Sequence, residues 1–60
     1  MVSIFDFVEN YGFNRKYKII DKHECIELIG DGYCVIGIHE YVRRKVIEMK
    51  RENEFIVLKV

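Results

Sequence analysis

Cysteine is scarce. The chain holds only Cys25 and Cys34, which is too few for a disulfide-dense secreted scaffold. No apolar run approaches the roughly 20 residues of a membrane span, so no membrane association is expected. The segment from Met1 to Phe13 carries acids and lacks both a basic n-region and an unbroken apolar core. No secretory leader is expected on that pattern, and a cytoplasmic location follows as the expectation. An excess of charge of one sign is missing too: ten basic and ten acidic residues give a formal net charge of zero. Dedicated nucleic-acid coat proteins are strongly basic, because phosphate neutralisation drives their affinity, so that class is disfavoured.

Ala, Pro, Thr, Gln and Trp are absent and Ser occurs once. Ile, Val, Tyr, Glu, Lys and Arg dominate instead. Such enrichment, with few thermolabile amides, is what a hyperthermophile protein shows. An AT-rich genome produces a similar bias through its codons. A thermophilic accessory or virus-encoded protein suits this character. A melting midpoint within the ordinary mesophile range, about 45–65 °C, would remove the thermophile reading.

Sixty residues, half of them apolar, make one small domain with a thin stability margin. The apolar content is enough for a two-layer core and for an apolar face left over. With no staple in sight, self-association is the expected remedy.

The fold class expected is α+β: a short N-terminal helix, a three-stranded antiparallel meander, one further helix, and a C-terminal strand in the same sheet. Residues 4–11 read as the first helix. Ser3 is its N-cap, Asp6 supports the first turn, and Val2 with Phe7 form a hydrophobic staple. Ile4, Phe7, Val8 and Tyr11 line one stripe, and Gly12 ends it. Tyr17 to Ile20 predicts the first strand. Glu24–Ile29 and Tyr33–Ile38 read as a hairpin turning at Gly30-Asp31-Gly32. That register puts Ile26, Leu28, Cys34, Ile36 and Ile38 in the core. It leaves Ile29, Tyr33 and Val35 as an apolar patch on the outer face.

Residues 40–52 admit two readings. Val42, Val46 and Met49 form a helical stripe among good helix formers, and helix is preferred. The rival is a hairpin, Lys45–Arg51 against Glu54–Val60, turning at Glu52-Asn53. Phe55 to Val60 is a strand apolar on both faces except at Lys59, and wants cover on both sides.

No motif brings recognisable chemistry. His23, Cys25, Cys34 and His39, with Glu27, hold zinc-type donors, but the spacing H-x-C…C-x4-H is not a standard finger. The predicted register sends Cys34 to the opposite face from the others. No metal or other cofactor is expected. A Cys25 nucleophile with a His base lacks a pocket on a flat strand face, so no enzyme activity is expected. Gly30-Asp31-Gly32 is too short for a phosphate loop. On a helix over 40–52, Arg43 and Lys50 would share one basic edge able to meet phosphates.

Two functions remain in view. The leading one is a non-catalytic protein–protein interaction module, self-associating as a homodimer, with Ile29, Tyr33 and Val35 as interface candidates. The alternative is a nucleic-acid-binding regulator that uses Arg43 and Lys50.

Overall fold

The computed structural model describes residues 2–21 and 24–60. Lys22 and His23, expected in the turn after the first strand, lie outside the described residues, as does Met1. The elements in chain order are α1 (Ile4–Tyr11), β1 (Lys16–Asp21), β2 (Ile26–Asp31), α2 (Gly32–Ile36), α3 (His39–Val42), β3 (Glu48–Glu52) and β4 (Phe55–Lys59). This is an α+β domain.

Local capping chemistry starts α1 at its expected residue. The Asp6 N–H donates to Ser3 Oγ at 3.2 Å, and the Ser3 hydroxyl donates to Asp6 Oδ2 at 3.0 Å. Ile4 and Val8 are fully buried; withdrawing side chains of this size from water contributes roughly 1.5–3 kcal/mol each. At the other end the Gly12 N–H donates to the Val8 carbonyl at 2.8 Å. Gly12 takes φ +114°, a backbone conformation that residues with a Cβ adopt only under strain.

The four strands form one mixed sheet in the order β2-β1-β4-β3. β1 and β2 form an antiparallel hairpin, as do β3 and β4. The two hairpins join through a parallel β1–β4 pair, in register from Lys16 opposite Phe55 to Ile20 opposite Lys59. The most apolar strand, β4, therefore lies in the centre beside β1, where both edges of each are covered. Beyond the ladder, the Val60 N–H donates to the Ile20 carbonyl at 3.0 Å.

Alternation divides the sheet into two faces. Tyr17, Ile19, Ile56, Leu58 and Val60 face the helices, and pack with Ile4 and Val8 of α1, Val35 of α2, and Tyr41 of α3. The opposite face carries Lys16, Lys18, Ile20, Phe55, Val57 and Lys59 on the central strands.

Several expectations are corrected. The sheet is not a meander, and the hairpin of 24–29 with 33–38 does not form. Residues 26–31 pair with β1 instead, and 32–36 are helical. Gly30 sits in the ladder opposite Tyr17. Asp31 is not a turn residue but the N-cap of α2, its carboxylate accepting the Cys34 N–H at 2.9 Å. That hydrogen bond holds the Asp31 carboxyl below its ordinary pKa. Residues 40–52 are not one helix. α3 stops at Val42, and the rival hairpin is the one that forms, closed by Asn53-Glu54, with Asn53 at φ 57°. Asn tolerates that left-handed conformation better than most residues. The last strand runs parallel to β1.

The crossover is pinned at two places. Residues 2–4 pair with 44–46: the Ile4 N–H donates to the Arg44 carbonyl at 3.0 Å and the Val46 N–H to the Val2 carbonyl at 2.9 Å. Arg44 also reaches the buried Asp21 at the end of β1, with Nη1–Oδ2 and Nη2–Oδ1 both at 3.3 Å. Its guanidinium stands 5.7 Å from the Tyr41 ring centroid. Burial, and secondarily the Asp21 charge, raise the Tyr41 phenol above its ordinary pKa. Arg44 therefore serves Asp21.

Candidate interaction surface

The two sheet edges are built differently. β3 is exposed throughout, and of its residues Glu48, Lys50, Arg51 and Glu52 are charged. Charges on an edge oppose pairing with a further strand. β2 is an edge of the same length class but reads Ile26-Glu27-Leu28-Ile29-Gly30-Asp31, with no Lys, Arg or Pro. Ile29 is 59% exposed. It stands on the helix-free face, because it pairs with Lys18. Ile26 is also exposed, on the helix side, where α2 packs against β2 and leaves Tyr33 exposed. The Tyr33 ring stacks on Phe13 with centroids 4.9 Å apart.

Of the three interface residues expected from sequence, the structure keeps Ile29 and Tyr33 at the surface, on opposite faces of the sheet. Val35 is corrected. It is 2% exposed and belongs to the core, because α2 turns it toward the sheet where a strand would have turned it outward. The basic edge is corrected as well. Arg43 is the C-cap of α3, while Lys50 lies in β3 opposite Val57. The helix that would have aligned them is absent.

The zinc-type donors are distributed over separate elements. Cys25 is exposed beside β2 with φ 53°, Cys34 is exposed in α2, and His39 starts α3. Cys34 is thus not the buried residue expected. His23 lies outside the described residues. Among the described residues, no three metal-type side chains gather, and no helix is long and apolar enough to cross a membrane.

The helix-free face has a structure that the sequence does not announce. Val57 is fully buried there although it stands outside the helix-covered core. Lysine stems supply the cover. Lys18 reaches across β4 to Glu52 at 3.0 Å, its ammonium 5.0 Å from the Phe55 centroid. Lys59 meets Glu48 at 3.4 Å and Lys16 meets Glu54 at 3.1 Å. The hydrogen bond with Glu52 raises the Lys18 pKa, and the same bond lowers that of Glu52. Phe55 and Val57 thus have the second cover that their strand needs, supplied by the chain's own side chains.

What fold and surface define, among the described residues, is a small α+β domain with three helices on one sheet face, a lysine-roofed opposite face, one densely charged edge and one edge of mixed apolar and acidic residues. The chain matches no protein-family model, and neither a curated protein nor a solved structure is significantly similar to it.

Proposed function

We propose that this chain is a small non-catalytic interaction module that pairs with a second copy of itself through the free edge of β2. The observation that carries the reading is the contrast between the edges: β3 carries four charges in five residues, whereas β2 carries only Glu27 and Asp31 and exposes Ile26 and Ile29. Strand addition at such an edge uses main-chain hydrogen bonds for affinity and side-chain pairing for register.

The edge is self-complementary in one register. A two-fold pairing centred on Leu28 sets Glu27 opposite the partner's Ile29 and Ile26 opposite the partner's Gly30. No like charges meet, and residues of one face meet residues of the same face. Recentring on Ile29 would oppose Glu27 to the partner's Asp31 twice, which is unfavourable. The two-fold contact is isologous and closes on itself. It would join two four-stranded sheets into one continuous sheet.

Light scattering on a sizing column tests the proposal. Twice the chain mass is expected at both low and moderate salt, since the contact is main-chain and apolar. A monomer at high protein concentration would remove it. The composition that suggests a thermophilic accessory or virus-encoded protein is compatible with this module. Arg43 and Lys50, on separate elements, lend no support to the nucleic-acid alternative.

A further inference from the structure

At one end of the sheet, a cleft of about 370 Å³ lies between the loop entering β1 and the β3–β4 turn. Arg15, Lys16, Arg51, Asn14, Asn53 and Glu54 supply its polar lining, with Phe55 beside them. We propose that this cleft binds a single phosphate group carried by a small molecule.

The electrostatics favour an anion. Three cations and one carboxylate leave the polar lining formally at +2, in a chain of net charge zero. Glu54 is held by Lys16 at 3.1 Å, so the two guanidinium groups set the field inside. Among the described residues neither Arg15 nor Arg51 forms an ion pair, whereas Lys16, Lys18, Arg44 and Lys59 all do.

The geometry favours a compact, oxygen-rich anion. Arg15 is oriented through its Nε–H, which donates to the Tyr11 carbonyl at 2.8 Å. That leaves its Nη donors for a ligand. Arg51 approaches from β3, on the helix side of the sheet, because it pairs with Ile56. Two guanidinium forks match phosphate oxygens bidentately, and the Asn14 and Asn53 amides can donate beside them. The volume lies at the low end for small-molecule sites, about 300–1,000 Å³. An extended nucleic-acid strand needs a continuous basic track. Here the neighbouring lysines are tied to Glu48, Glu52 and Glu54, so a single phosphate is the better match. The site does not depend on β2 pairing, which engages the opposite edge.

The test is calorimetric titration, at low chloride, with inorganic phosphate, a nucleoside monophosphate and a short single-stranded oligonucleotide. Saturable binding of phosphate or the monophosphate is expected, with Kd at or below about 1 mM. A tighter monophosphate would identify a nucleotide source, and equal affinities would identify phosphate alone. Arg51→Ala and Arg15→Ala should each weaken binding about tenfold. Arg51→Lys should recover only part, since it restores charge but not the fork. Arg43→Ala, outside the cleft, should change nothing. Arg51 is exposed in its strand, so its variant remains informative even if Arg15→Ala frays α1. The assignment is overturned by no binding of any probe or by Arg51→Ala binding as tightly as the parent. It is likewise overturned by tighter oligonucleotide binding that Arg43→Ala weakens as much.

Discussion

Gly32 lies where the start of α2 meets the loop after α1. A Cβ there would lie 2.7 Å from Phe13 Cα and 2.9 Å from Val8 Cγ1, while the Gly32 N–H donates to the Phe13 carbonyl at 3.1 Å. The nearest atom is backbone and cannot rotate away. Gly32→Ala should therefore destabilise the fold by about 1–3 kcal/mol, as overpacking does. A urea midpoint lowered at unchanged slope would record this, and an unchanged midpoint would show that the α1–β1 loop yields freely. At this scale the sequence was legible where chemistry is local. Ser3, Asp6 and Gly12 mark α1 because caps and turns act within a few residues. Gly30-Asp31-Gly32 misled for the same reason. A turn and a helix N-cap both favour Asp, and the choice between them rests on the distant contact of Gly32 with Phe13.

At the scale of elements, the segments misread are those whose burial is decided by remote neighbours. Tyr33–Ile38 has β-branched residues suited to a strand, yet Asp31 caps a helical turn at its start. The helical turn brings Val35 onto the core instead. β3 carries no alternation because both of its faces are exposed, so its Arg, Lys, Glu and Met pointed to a helix. Asn53, where the chain needs positive φ, was the surviving sign of the hairpin. The crossover between these elements depends on Arg44 and Asp21. Arg44→Ala would leave the Asp21 carboxylate, 2% exposed, without its guanidinium. The expected loss is about 3 kcal/mol, the low end for a broken buried pair because Arg44 is itself partly solvated. Thermal or urea unfolding at fixed protein concentration checks this, and a loss below about 0.5 kcal/mol would show that Tyr41 and the backbone hold the crossover unaided.

For the molecule as a whole, the sequence supplied the α+β class, the surplus of apolar surface and the exposed position of Ile29 and Tyr33. It did not locate the edge on which that surplus matters, since an edge is defined only once strand order is known. The same holds for the phosphate cleft: Arg15 and Arg51 are far apart in sequence and converge only because β1 and β4 run parallel. Pairing through β2 leaves that cleft free in both copies.

The most direct test of β2 pairing reads the register through charge at Ile29, which is exposed and tolerant of substitution. Solution mass should be measured by light scattering for the parent chain, Ile29→Lys and Ile29→Glu. In the register centred on Leu28, residue 29 faces the partner's Glu27. The parent and Ile29→Lys should therefore be dimers, with Ile29→Lys the more resistant to dilution at low salt, and Ile29→Glu should be a monomer. A parent that is monomeric, or an Ile29→Glu chain that dimerises as well as Ile29→Lys, would contradict the account.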